Sequence, residues 1–143
     1  MKKFLLIMIL LSIFISTIGC SSGAYSSKEA IKRGDIVYQV KVANLERFEE
    51  FLHNLSNKKE DTIRVTGYTH EGDPIFQDLQ FDGKVIQYTY DNSNDEYAGN
   101  NKGIEKDVCT EIIKKENEQD EVEFFVSGCS KGNDRFLLRV EKD

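Results

Sequence analysis

The sequence predicts an α+β fold: a mostly antiparallel sheet of about six to seven strands, one main helix packed on one face and a short N-terminal helix. Three observations carry this expectation. Leu45, Phe48, Phe51, Leu52 and Leu55 recur at helical spacing while Glu46, Glu49 and Glu50 fall opposite. "DIVYQVKVAN" alternates, with Ile36, Tyr38, Val40 and Val42 on one face and Val37, Gln39 and Lys41 on the other. "DTIRVTGYT", "PIFQDLQF" and "KVIQYTYD" then follow as β-like runs broken by turn residues.

In chain order, serines at one end and Gly34 at the other bound a short helix over Lys28 to Arg33. The alternating run reads as one strand with one buried face. Asn44 stands where an N-cap belongs, ahead of the main helix. The meander is joined by "HEGD" and by Asp82-Gly83, a two-residue hairpin signal. Folding about that turn pairs Leu79 with Ile86, Gln77 with Tyr88 and Ile75 with Tyr90. This gives one apolar, aromatic face and a polar back carrying Asp78, Gln80, Gln87 and Thr89. A polar loop, "NSNDEYAGNNKG", leads to two further runs, "VCTEIIKK" and "VEFFVSGC", around the turn "ENEQDE", and "RFLLRV" is the last strand.

The chain begins differently. Met1-Lys2-Lys3 is followed by a run of Phe, Leu, Ile and Met from Phe4 to Ile15, interrupted only by Ser12, the order of an export signal that is removed. The uncharged stretch to Gly19 is short for a membrane-spanning helix, which takes about 20 apolar residues. Ser16-Thr17-Ile18-Gly19-Cys20 resembles the lipobox of bacterial lipoproteins, with Thr17 where Leu is commonest. That resemblance implies a signal peptide over residues 1–19 and diacylglyceryl attachment to Cys20, which becomes the first mature residue. Residues 20–27 are then a lipidated cysteine and short tether, and 28–143 a single domain.

Loss of residues 1–19 from the 143-residue chain leaves 17 basic and 25 acidic residues, a net charge near −8. That sign argues against nucleic acid and against polybasic membrane contact, so membrane contact is expected through the N-terminal lipid. With Cys20 acylated, Cys109 and Cys129 remain as an even pair in an exported chain. A hairpin folded about Gln119 sets Cys109 opposite Cys129, Glu111 opposite Ser127 and Ile113 opposite Phe125, within disulfide reach.

The runs "IRVTGYTHEGDPI" and "IQYTYDNSNDEYAG", with the later "VC" and "SGC", resemble a family of small lipoproteins from spore-forming Gram-positive bacteria that carry a domain of unknown function. The resemblance extends from about Gly34 to Cys129. It implies an exported, lipid-anchored single domain that keeps its two later cysteines, and it imports no activity.

Two stretches hold chemistry-bearing side chains. "YTHEGDP" gathers Tyr68, His70, Glu71 and Asp73 around one turn, a candidate ligand corner with the pieces for acid–base work. Gly, Asp and Pro are also what a tight β-turn needs, and turn chemistry is the simpler reading. "DNSNDEYAGNN" offers Asp91, Ser93, Asp95 and Glu96 as a candidate calcium loop, but Glu96 and Lys102 occupy the glycine and bidentate-glutamate positions of an EF-hand begun at Asp91. Tyr88, Tyr90 and Tyr97 read as sheet core and rim, and His53 as a solvent-edge residue of the main helix.

No catalytic elbow, phosphate loop or His-x-x-x-His pair is present, and no cofactor or metal is expected. The sequence therefore favours a non-enzymatic envelope module that binds a protein, peptide or wall component. Its rival is a small envelope enzyme using His70 with Glu71 and Asp73.

Overall fold

The computed structural model describes residues 25–142. The expected signal peptide, Cys20 and the first part of the tether lie outside the described residues. The elements are α1 (Ser27–Arg33), β1 (Ile36–Tyr38), β2 (Val42–Ala43), α2 (Leu45–Ser56), β3 (Asp61–Tyr68), β4 (Pro74–Phe81), β5 (Ile86–Asp91), a 3-10 turn (Gly99–Asn101), β6 (Ile104–Cys109), β7 (Glu111–Glu116), β8 (Glu121–Ser127) and β9 (Arg135–Glu141). They build an α+β fold with a six-stranded sheet, order β2-β1-β3-β4-β5-β6, and a three-stranded sheet, β7-β8-β9. Among the described residues only β1 and β3 pair in parallel, because α2 carries the chain back between them.

α1 starts as its serines predict: Ser26 Oγ accepts from the Glu29 N–H, and Gly34 closes the helix at φ 92. The packed chain begins earlier than the expected Lys28, since Tyr25 stacks edge-on against Phe76 at 5.3 Å.

The single strand expected over 35–44 is two. β1 turns back through Gln39–Lys41 and pairs antiparallel with β2, setting Tyr38 opposite Val42, and Val40 at the tip is 98% exposed. Alternation cannot distinguish these cases, because a tight reversal about Val40 returns the even positions to one face. Ile36 and Val37 are both buried, since α2 covers one side of β1 while α1 packs on the strand from elsewhere.

α2 forms where its spacing puts it and buries Phe48 and Phe51 completely. Each such burial contributes about 1.5–3 kcal/mol. Asn44 precedes the helix but does not cap it. It sits at φ 57, and its Nδ2 instead donates to the carbonyls of Ile31 at 3.1 Å and Asp35 at 2.8 Å, tying the α2 entry to the end of α1.

The β4–β5 hairpin is displaced by two residues from expectation. Phe81 faces Ile86, Leu79 faces Tyr88 and Gln77 faces Tyr90. Asp82 Oδ1 accepts from the N–H groups of Lys84 and Val85, each at 2.9 Å, and the Asp82 N–H donates to the Val85 carbonyl, so the turn closes over four residues. An even shift leaves every side chain on its expected face. Leu79, Phe81, Ile86 and Tyr88 are buried in the core.

"VCTEIIKK" is not one strand of one sheet. β6 ends at Cys109 as the edge of the large sheet, and β7 begins at Glu111 in the small one, so the chain turns a corner at Thr110. The β7–β8 register is the expected one, with Glu111 opposite Ser127 and Ile113 opposite Phe125. β9 carries an extra residue against Phe124 and Phe125. This bulge sends the consecutive Leu137 and Leu138 inward, both fully buried. A single core results, in which Phe48 and Phe51 meet Val65, Leu79 and Ile86 of the large sheet and Val126, Leu137 and Leu138 of the small one. α2 and the small sheet thus cover one face of the large sheet.

Candidate functional site

The turn after β3 places the expected corner residues apart in role. The Thr69 N–H donates to the Asp73 carbonyl at 3.0 Å, the Gly72 N–H donates to the Thr69 carbonyl at 3.1 Å, and Gly72 holds φ 95. These bonds close the turn through backbone groups. His70 and Glu71 at its tip are exposed. Asp73 Oδ2 accepts the Glu96 N–H at 3.2 Å, which fastens the turn to the acidic loop. Tyr68 points elsewhere, its hydroxyl donating to the Tyr25 carbonyl at 2.8 Å.

The acidic loop uses its carboxylates in the same way. Asp91 Oδ1 accepts the Ser93 N–H and Asp95 Oδ1 accepts the Tyr97 N–H, the side-chain-to-backbone bonds of Asx turns. Buried Asn92 organises the loop by accepting the Gly103 N–H at 2.8 Å and donating to the Asn101 carbonyl at 3.1 Å. Among the described residues, the metal-capable side chains that come close enough to share an ion are Asp107, Cys109 and Cys129, not the loop. Both of those sulfurs are bonded to each other.

That disulfide, Cys109–Cys129, spans 20 residues at a Cα separation of 3.9 Å and staples the corner between the sheets. Gly128 makes it possible: at φ 64, a Cβ there would collide with the Thr110 hydroxyl. Asp107 lies beside the staple, accepting from Ser130 Oγ at 2.6 Å and the Val108 N–H at 2.8 Å. The Ser130 bond leads the interactions that hold the Asp107 carboxyl below the usual aspartate range.

A polar clasp closes the other face of the large sheet. Asp35 is buried, and its Oδ2 accepts from the Tyr25 hydroxyl at 2.8 Å and Thr66 Oγ1 at 2.7 Å. Arg33 stacks over the Tyr25 ring, while Arg64 lies over Phe76 and grips Asp78 through two nitrogens at 2.6 and 2.8 Å. Burial pushes the Tyr68 phenol up to about 12, with the Tyr25 and Asp35 charges adding to it. Sequence patterning had no handle on this cluster, because Tyr25 precedes every periodic segment of the domain and Asp35 only opens the alternating run, where no period marks it.

Of the tyrosines, Tyr88 is in the core with its hydroxyl on Gln77 Oε1, Tyr90 is half-buried, and Tyr97 is 75% exposed. His53 is exposed on α2 and meets Asn57. An open groove between β2 and β9 is lined by Val40, Val42, Leu45, Arg139 and Val140, away from His70.

The fold and these corners define a disulfide-stapled α+β domain with a clasped N-terminal helix. The model of the family described as Domain of unknown function (DUF4362) matches residues 33–124, and the chain belongs to that family. The match takes in Cys109 and ends within β8, before Cys129. No curated protein and no solved structure matches the chain significantly.

Proposed function

We propose that the chain is a lipoprotein held on the extracytoplasmic face of a cell membrane through Cys20, and that its domain is a non-enzymatic recognition module for an envelope protein or peptide. One observation carries the reading: a charged start, an apolar run and Ser16-Thr17-Ile18-Gly19-Cys20 stand in the order that export and lipidation require. Kinship with small lipoproteins of spore-forming Gram-positive bacteria belongs to the same proposal. Two acyl chains supply the double signal that makes attachment stable, since one alone binds only marginally.

The Cys109–Cys129 disulfide supports an oxidising compartment. Exposed His70 and Glu71, with Asp73 bound to backbone, weigh against the rival enzyme. Among the described residues β7 ends the small sheet with one side unpaired, the kind of edge to which an extended peptide adds by strand pairing. Mass spectrometry of the mature protein tests the anchor. The N-terminal peptide is expected to begin at Cys20 and carry the diacylglyceryl mass, and an unmodified peptide containing residues on both sides of Cys20 would contradict the proposal.

A further inference from the structure

We infer that the domain lies on the membrane through the Lys28, Ile31 and Lys32 face of α1, against anionic phospholipid headgroups, and turns the three-stranded sheet outward. The inference rests on the proposed anchor at Cys20. Five Cα-to-Cα steps, through the four residues 21–24, carry the chain from Cys20 to Tyr25. Even fully extended they reach at most about 18 Å. Tyr25 is not free to lengthen that tether, because its ring packs on Phe76, its hydroxyl bonds Asp35, and its carbonyl receives the Tyr68 hydroxyl. The surface that meets the bilayer must therefore adjoin Tyr25, and α1 begins two residues later.

Charge selects the face. Lys28 and Lys32 are exposed and stand four residues apart on one side of the helix, with Ile31, 40% exposed, between them. Glu29, the acidic residue of α1, is paired with Arg33, and among the described residues Lys28 and Lys32 stand in no ion pair, so the helix presents two lysines to solvent in a mature chain of net charge near −8. Lysines beside an anionic surface are attracted to it, and exposed acidic groups are repelled. Asp91 ends β5 and Asp95 and Glu96 follow it, two strands across the sheet from β3, a separation of about 10 Å. Repulsion of that loop and attraction of α1 roll the domain the same way. α1 packs on β1, with Ala30 buried outside the main core, whereas the small sheet contributes Phe124, Val126, Leu137 and Leu138 to that core. Resting on α1 thus leaves the small sheet facing away.

The test uses the lipidated mature chain in vesicles of phosphatidylcholine, with and without phosphatidylglycerol. Flotation reports anchoring, and acetylation of lysines read by mass spectrometry reports orientation. On phosphatidylglycerol vesicles, labelling of Lys28 and Lys32 is expected to fall by about fivefold or more relative to pure phosphatidylcholine, while Lys58, Lys84 and Lys114 keep their reactivity. A chain that floats yet labels equally at Lys28 and Lys32 on both vesicles overturns the orientation and leaves the anchor standing. A chain that does not float overturns both.

Discussion

The Tyr25 hydroxyl and Asp35 Oδ2 are joined at 2.8 Å across the whole of α1, ten residues apart in sequence. Thr66 completes the bond set from β3, so the first described residue, the helix and the sheet close on one buried carboxylate. Tyr25→Phe leaves Asp35 one donor short and is expected to lower stability by about 1 kcal/mol, read as a smaller urea midpoint at neutral pH.

The same clasp predicts an alkaline limit. Burial, then the Asp35 hydrogen bond, pushes the Tyr25 phenol above its ordinary value, and burial carries Tyr68 up to about 12. Both folded values exceed the ordinary tyrosine value of about 10, so the neutral phenols contribute stability that is complete below about pH 10. It is lost as pH rises through the higher folded values. Urea midpoints followed from pH 8 to pH 12 should fall most steeply above about pH 10, and the Tyr25→Phe, Tyr68→Phe chain should show a shallower fall.

Asp61 predicts the opposite limit. Arg47 holds its two oxygens at 2.5 and 3.0 Å, Asn54 donates at 2.9 Å, and the Thr62 N–H donates at 2.7 Å. Burial pushes this carboxyl up, but these hydrogen bonds together hold it below the usual range. A lowered folded value means stability present above the unfolded value of about 3.9 and lost as pH falls through the folded one. Asp61→Asn is expected to cost about 1–3 kcal/mol at neutral pH and to flatten the acid limb of the stability curve. An unchanged acid limb would remove this pair from the explanation.

Reduction of Cys109–Cys129 frees a 20-residue separation and should lower stability by roughly 3 kcal/mol in the chain-entropy picture. Denaturation with and without a reducing agent checks it. Coincident curves would show that the corner at Thr110 holds without its staple.

At the turn, His70→Ala is expected to leave stability within about 0.5 kcal/mol, as exposed substitutions do. Gly72→Val should cost about 1–3 kcal/mol, because φ 95 strains a β-branched residue even though nothing crowds the position. A His70→Ala chain that folds normally but loses partner binding or an activity would restore the turn as a site.

Sequence pattern read best where one period had one meaning. The α2 stripe from Leu45 to Leu55 and the 111–127 pairing are both found as spacing predicts. It misread positions where side chains redirect the backbone: Asp82 lengthens its turn, and Asn44 bonds to Ile31 and Asp35 instead of capping. It also missed the reversal about Val40, which alternation alone does not register. The Asp35 clasp depends on partners ten and thirty-one residues away, and no local period encodes such a separation. The Asp91 loop looked like a cation site because the residues that make Asx turns are also oxygen ligands.

Cys20→Ala tests the anchor most directly. Cells expressing the parent or the variant are fed labelled fatty acid and fractionated. Label is expected in the parent band alone, with the parent in the membrane fraction and the variant either shed or retained as an unlabelled precursor. Label entering the Cys20→Ala chain would contradict attachment through that thiol.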